Sequence, residues 1–125
     1  MTEPVLAQTA DGVRTLTLNR HRKRNAISRE LLSALRGALA QAATDSVRAV
    51  ILTGAGACFS AGADINELTG TAADIAFDDA LSAVAAMVAN GPFLTVAAVG
   101  GACIGAGLDL ACACDVRVVS PSSFF

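Results

Sequence analysis

The chain has 125 residues, of which 54% are hydrophobic and only 16% charged, and its formal net charge at pH 7 is −2. This length suits a single domain with a substantial core, which excludes a disordered, collagen-like or coiled-coil chain. The slightly acidic balance offers no basic field to attract nucleic acid or an anionic membrane surface, so we expect neither as a partner.

The N-terminal third predicts a β-hairpin followed by a helix. Apolar runs over residues 5–8 and 13–18 flank Asp11-Gly12, a dipeptide typical of hairpin turns. Over residues 29–43, leucines recur at three- and four-residue spacing, which predicts an amphipathic helix with Ser28 as its N-cap.

The remaining chain alternates predicted strands and helices. Residues 47–53 (VRAVILT) indicate a strand covered on both faces, and apolar spacing over residues 81–88 indicates a second helix. Asn90-Gly91-Pro92 should end that helix by supplying an αL residue and then a helix breaker. Three further elements are predicted: a strand over 94–99, a short helix over 107–113 and a strand over 116–119. This order indicates an α/β domain with largely parallel strands.

No charged residue lies between Asp79 and Asp109, and this window is long enough to cross a bilayer. Asn90-Gly91-Pro92 and several glycines interrupt it, so we interpret the window as buried core and expect no membrane span. Residues 1–8 contain Glu3 and no basic segment, which is unlike a secretory signal.

The cysteines do not have metal-binding spacing. Cys112 and Cys114 are separated by one residue, not by the two of a zinc knuckle or redox motif, and His21 is the only histidine. We therefore expect no metal, and buried, reduced thiols at Cys58, Cys103, Cys112 and Cys114 in a cytoplasmic protein.

Two glycine-rich turns each follow a predicted strand: residues 53–64 (TGAGACFSAGAD) and residues 100–109 (GGACIGAGLD). Their glycines allow either tight helix packing or close approach of a ligand to unpaired backbone N–H groups. A dinucleotide fingerprint is not met, because Phe59 occupies the position of its third glycine, and no Lys-Ser or Lys-Thr completes a P-loop.

The charged residues beside these turns each have two possible roles. Asp109 is either a reactive carboxylate or one favoured by the helix dipole. Arg20, Arg22, Lys23 and Arg24 form either a solvated loop or a phosphate site.

Three segments together resemble the enoyl-CoA hydratase/isomerase (crotonase) superfamily: LNRHRKRNA (18–26), ILTGAGACFSAGADI (51–65) and AAVGGACIGAGLDLACACDVR (97–117). The resemblance implies an α/β, crotonase-like spiral of ββα units, with residues 1–125 as the N-terminal portion of one domain, before its C-terminal helices. It also implies a cytoplasmic acyl-CoA enzyme of fatty-acid oxidation that needs no cofactor, since CoA belongs to the substrate, and that assembles as a homotrimer or a dimer of trimers.

The resemblance also implies site residues. The backbone amides of Ala63 and Ala106 would stabilise a thioester enolate as an oxyanion hole, and Asp109 would be the third catalytic group. The Ala61 carbonyl would accept from the adenine amino group. The implied CoA-binding residues are Arg22, Lys23, Arg24, Ala61, Ala63, Asp64, Ile65, Asn66 and Ala106.

The chain departs from the family pattern at two positions. His21 stands where a proline is usual, and Asp109 stands where hydratases have a glutamate. Aspartate there is similar to dienoyl-CoA isomerases, which gives a dienoyl-CoA isomerase as an alternative. A non-catalytic CoA-binding or assembly module is an alternative of another class.

Two phenylalanines at Phe124-Phe125 would need a pocket from later sequence, so we also expect the domain to continue beyond them. The resemblance implies a second catalytic glutamate four residues after Phe125. Without that carboxylate, the 125-residue chain alone should be inactive.

Overall fold

The computed structural model describes residues 3–125, and its elements follow the predicted order. They are β1 (Val5–Ala10), β2 (Val13–Leu18), α1 (Arg29–Thr44), β3 (Ala49–Gly54), α2 (Ala72–Asn90), β4 (Leu94–Val99), α3 (Ala106–Ala113) and β5 (Val116–Val119). Short 3₁₀ turns at His21–Lys23 and Ile65–Glu67 lie in the loops before α1 and α2.

The predicted hairpin is confirmed. Asp11 and Gly12 have φ of 53° and 78°, and two successive residues in this region form the turn that suits the twist of antiparallel strands. β1 and β2 pair antiparallel from Val5 opposite Leu18 to Ala10 opposite Val13. Strands β2 to β5 then pair in parallel, so the sheet order is β1-β2-β3-β4-β5.

One face of this sheet carries the core. Leu16, Leu52 and Ala97 lie in register on that face, are at most 2% exposed, and pack with the buried residues of the helices. On the opposite face Ile51 is only half-buried, and Val116 is 45% exposed. The prediction of strands covered on both faces is therefore wrong for this chain, because a non-alternating apolar run does not show which face a helix covers.

Helix α1 begins as predicted, with the Ser28 hydroxyl accepting from the Leu31 amide at 3.1 Å. Helix α2 starts earlier than its apolar spacing suggested, at Ala72, where Thr71 caps it. It ends at Asn90, but Gly91 has φ −68° and ψ 164°, so the predicted αL residue is wrong. Glycine is needed there for space instead, since a Cβ would lie 2.6 Å from the Phe93 ring.

Isolated parallel bridges form a second ladder beside the main sheet. They join Ile27 to Ala63, Ser60 to Cys103 and Ala102 to Phe124. Each bridge segment except the last lies between a strand and the next helix, so the chain repeats strand, bridge and helix. This repeat is the predicted spiral of ββα units, and it places both glycine-rich turns on the second ladder.

Two of the four cysteines are buried. Desolvation raises the pKa of the Cys103 and Cys114 thiols to about 11, so both stay protonated at neutral pH. Cys58 is half-buried and Cys112 is exposed, so the expectation of four buried thiols is wrong for these two. All four cysteines are free.

Candidate functional site

The two glycine-rich turns lie against each other. The Ser60 amide donates to the Ala102 carbonyl at 3.0 Å, and the Ile104 amide donates to the Ser60 carbonyl at 3.1 Å. Gly62 allows this approach, because a Cβ there would lie 3.1 Å from the Ile104 oxygen and 4.0 Å from the Ala106 nitrogen. The structure therefore brings the segment around Ala63 next to the start of α3.

Two backbone amides at this junction lack a protein partner. Within residues 3–125, neither the Ala63 nor the Ala106 N–H donates a hydrogen bond to the protein. The amides that flank Ala63 are both bonded, Gly62 to the Ser60 hydroxyl at 3.2 Å and Asp64 to the Ile27 carbonyl at 2.9 Å. Ala106 is the first residue of α3, where an amide has no intrahelical acceptor. Two such donors from adjacent turns can receive one carbonyl or anionic oxygen.

A cavity of about 300 Å³ opens beside the first of these turns. The predicted CoA-binding residues other than Ala106 all line it, together with Ala26: Arg22, Lys23, Arg24, Ala61, Ala63, Asp64, Ile65 and Asn66. The sequence places these residues about forty positions apart, and the loop before α1 and the first glycine-rich turn bring them together.

The basic loop separates into two kinds of cation. Arg22, Lys23 and Arg24 are exposed, and none of them forms an ion pair with residues 3–125. Arg20 turns inward instead, where its Nη2 lies 3.1 Å from Asp64 Oδ2 and its Nη1 donates to the Ala26 carbonyl. The first three cations are thus available to a phosphate, and Arg20 is occupied by the protein.

Asp64 is held on both carboxylate oxygens. Oδ2 accepts from Arg20, and Oδ1 accepts from the Asn66 amide at 3.0 Å, which caps the 3₁₀ turn Ile65–Glu67. Desolvation raises the pKa of Asp64, but the hydrogen bonds from Arg20 and the Asn66 amide outweigh it and leave this pKa below its ordinary value. Asp64 therefore lines the cavity, but its carboxylate is held in place and its charge is paired with Arg20.

Asn25 is a site residue that the sequence reasoning missed. It is fully buried with φ 54°, and its Nδ2 donates to the Ala55 and Cys58 carbonyls at 2.9 and 2.8 Å. Its Oδ1 accepts from the Arg20 amide at 2.9 Å. Asparagine tolerates this left-handed conformation. The only feature of the sequence that could have indicated a structural role for Asn25 is its position between the charged residues of the loop and the apolar residues that follow.

Asp109 and His21 are both exposed. Asp109 lies three residues after Ala106 in the first turn of α3, and residues at that spacing share a helix face. Its amide donates to the Gly105 carbonyl at 2.9 Å. The His21 amide donates no backbone hydrogen bond within residues 3–125, so this position does not need the N–H that a proline would lack.

Residues 3–125 include no helix long and apolar enough to cross a membrane. The same residues bring together no group of three or more histidine, cysteine or acidic side chains in a metal-binding arrangement.

Comparison with known proteins gives consistent matches. A family model described as enoyl-CoA hydratase/isomerase matches residues 8–125. The "Probable enoyl-CoA hydratase echA6" of Mycobacterium tuberculosis is 41% identical over 116 residues, which cover 93% of this chain and 46% of that protein. The rat "Enoyl-CoA hydratase domain-containing protein 3, mitochondrial" is 35% identical over 98% of this chain and 43% of its own length.

The solved structure of an enoyl-CoA hydratase from Thermoplasma volcanium superposes with a TM-score of 0.91 at 28% identity, over 98% of this chain and 50% of that one. The chain thus spans about half the length of the relatives it matches.

Proposed function

Since this chain belongs to the enoyl-CoA hydratase/isomerase family, we propose that it binds an acyl-CoA thioester and stabilises the enolate of that thioester with the Ala63 and Ala106 amides. The observation that carries the proposal is the pair of unpartnered amides, one from each glycine-rich turn, with the two amides that flank Ala63 both bonded.

Catalysis would depend on stabilising the negative charge that develops on the thioester oxygen in the transition state. When water adds to the double bond conjugated with the thioester, or when a proton is removed next to it, negative charge collects on the carbonyl oxygen, and two fixed N–H donors favour that state over the ground state. One such donor contributes about 3 kcal/mol to lowering the barrier. Asp109, one turn further along α3, is the side chain on this chain that would position water or hold the migrating proton.

The CoA moiety would occupy the cavity beside the basic loop. Arg22, Lys23 and Arg24 supply positive charge for its phosphates. The Ala61 carbonyl accepts no backbone hydrogen bond within residues 3–125, so it remains available to an adenine amino group. Substrate binding therefore uses the loop before α1, and the reaction uses the junction of the two turns.

Replacing Ala106 with proline tests the proposal, because proline is tolerated at the first helical position and lacks the N–H. We expect Ala106→Pro in the full-length protein to lower turnover of a 2-enoyl-CoA by about 10² to 10³, with the fold retained. Ala72→Pro, at the first position of α2, is the matched control and should leave turnover unchanged. Unaltered turnover in Ala106→Pro would remove that amide from the mechanism.

The same assay decides between the alternatives. Aspartate at position 109, where hydratases have a glutamate, is similar to dienoyl-CoA isomerases, which makes double-bond migration in a dienoyl-CoA the second candidate. Hydrated product from a 2-enoyl-CoA indicates the hydratase, and a shifted diene indicates the isomerase. Binding of acyl-CoA without either product indicates a non-catalytic CoA-binding or assembly module.

Three properties of the whole protein are part of the proposal. We propose that the protein takes part in fatty-acid oxidation. We also propose that it assembles as a homotrimer or a dimer of trimers, an oligomeric state that sedimentation would measure. A cytoplasmic location is supported by the four free cysteines, since disulfides persist in oxidising compartments.

A further inference from the structure

Arg20 has contacts unlike those of the other cations of its loop. Its Nη2 and Nη1 bind Asp64 and the Ala26 carbonyl, and its side chain is 23% exposed while that of Asp64 is 10% exposed. Its backbone is also fixed, since its amide donates to Asn25 Oδ1 and its carbonyl accepts from the Asn25 and Lys23 amides. A cation held in this way is part of the scaffold, not of the phosphate-binding surface.

The partner of Arg20 adjoins Ala63. Asp64 follows Ala63 in sequence, and the backbone on either side of Ala63 is tied to Ile27, because the Ile27 amide donates to the Gly62 carbonyl at 2.8 Å and the Asp64 amide donates to the Ile27 carbonyl at 2.9 Å. The Arg20 guanidinium bridges the same two segments, since it donates to the Ala26 backbone carbonyl on one side and to the Asp64 carboxylate on the other. The direction of the Ala63 N–H therefore depends on this set of bonds.

We propose that Arg20 is a positioning residue for the reaction: by binding Asp64 and Ala26 together, it fixes the Ala63 amide and neutralises the carboxylate next to it. The inference rests on the proposed function, in which the Ala63 amide faces a developing negative charge. An unpaired carboxylate one residue away would oppose that charge, in a site where electrostatic interactions are only weakly screened.

This role differs measurably from phosphate binding. A cation that binds CoA phosphates acts equally on the ground and transition states, so its loss raises KM and leaves kcat unchanged. A residue that fixes an oxyanion donor acts on the transition state, so its loss lowers kcat and kcat/KM together.

The experiment compares Arg20→Gln with Arg14→Gln in the full-length protein. Arg14 is the matched control, because it also pairs with an aspartate, Asp45, at 2.9 Å but lies away from the turns. We expect Arg20→Gln to lower kcat on a 2-enoyl-CoA by about tenfold to a hundredfold, with little change in KM, since misplacing a catalytic group by about 1 Å can cost about 10². Arg14→Gln should leave both constants unchanged. Arg20→Lys, which keeps the charge, should recover part of the loss.

A double variant separates the charge effect from a structural one. Asn at position 64 keeps an oxygen for the Asn66 amide but carries no charge, so Arg20→Gln/Asp64→Asn should turn over faster than Arg20→Gln alone. A role confined to stability would not produce that recovery. Raised KM at constant kcat in Arg20→Gln, or a double variant slower than Arg20→Gln, would overturn the proposal.

Hydrogen exchange gives a readout that does not need substrate. Arg20→Gln should speed exchange of the Ile27 and Asp64 amides about tenfold or more, while the Leu35 amide in α1 stays at its wild-type rate. Unchanged exchange at Ile27 and Asp64 would overturn the positioning role whatever the protein catalyses. If wild-type protein neither binds nor converts acyl-CoA but the exchange result holds, the proposed function fails and the anchoring role of Arg20 stands.

Discussion

Each glycine-rich turn contributes one unpartnered amide, that of Ala63 or that of Ala106, but different interactions hold the two turns in place. Polar side chains hold the first turn: buried Asn25 binds two of its carbonyls, and the Ser60 hydroxyl donates to the Asn25 carbonyl at 2.8 Å. Close packing holds the second turn, where a Cβ on Gly107 would lie 2.6 Å from the Ser60 Cβ. A Cβ on Gly101 would overlap the Ala57 carbonyl.

This difference indicates which substitutions each turn can tolerate. Both turns should fail when volume is added, since a Cβ on Gly54 in the first turn would overlap the Cys58 and Phe59 carbonyls. The first turn should also fail when a buried hydrogen-bonding side chain is removed. The second turn continues into an α-helix, α3, whose first turn carries the acidic side chain of Asp109. Substitution of Asp109 should therefore change turnover without changing unfolding stability, and substitutions that disturb the packing or hydrogen bonds of the turns should change unfolding stability.

The largest expected effect is on turnover. Asp109→Asn in the full-length protein should lower kcat by about 10² to 10⁴, the usual contribution of a general acid or base. Unfolding stability should stay within about 0.5 kcal/mol of wild type, because Asp109 is exposed. Steady-state kinetics and thermal unfolding on the same preparation test both statements. A wild-type rate in the folded variant would leave Asp109 as a carboxylate that only favours the helix N-terminus.

Added volume in the second turn should give the largest loss of stability. Gly101 has φ 60°, and a methyl group there would meet the backbone of Ala57 and Cys58. Overpacking and left-handed strain together predict that Gly101→Ala destabilises the fold by about 3 kcal/mol.

Gly37 provides the control for Gly101. It lies in α1, where the added Cβ would have no atom within 4 Å apart from the adjacent backbone of the helix itself, so Gly37→Ala should stabilise the protein by about 0.5 to 1 kcal/mol. Urea unfolding of both variants measures the difference. Equal stability of the two alanine variants would mean that packing against Ala57 does not hold the second turn.

Removing a hydroxyl from the first turn should have a smaller effect. Ser60 is fully buried, and its Oγ donates to the Asn25 carbonyl and accepts from the Gly62 amide at 3.2 Å. Ser60→Ala leaves both groups without that partner, which should cost about 1 to 3 kcal/mol. The exposed Ser33 on α1 is the control, and Ser33→Ala should change unfolding stability by less than about 0.5 kcal/mol. Matching results for the two serines would break the contrast between the turns.

The sequence predicted the elements better than the contacts between them. Residues 94–99 and 116–119 were predicted as strands and have those limits in the structure, because local propensity and turn residues determine them. The roles of Asn25 and Arg20 were not predicted, because their partners lie 30 to 44 residues away. A cluster of four basic residues has no feature in sequence that indicates which member turns inward.

The smallest structural effect should come from the exposed cations of the loop before α1. Arg22, Lys23 and Arg24 form no ion pair with residues 3–125, so changing all three to alanine should barely alter unfolding stability. If these cations face the CoA phosphates, the triple variant should bind CoA more weakly. Its affinity should also depend less on ionic strength, because salt screens such contacts over about 8 Å under physiological conditions.

Titration calorimetry with CoA at several salt concentrations measures affinity and salt dependence together. Arg36→Ala is the control for loss of an exposed cation on α1, away from the cavity, and should keep the wild-type slope. A triple variant with wild-type affinity and slope would show that the loop is ordinary solvated surface. The phosphates would then have to be bound elsewhere, and the first turn would contribute to the site through the Ala61 carbonyl and the Ala63 amide alone.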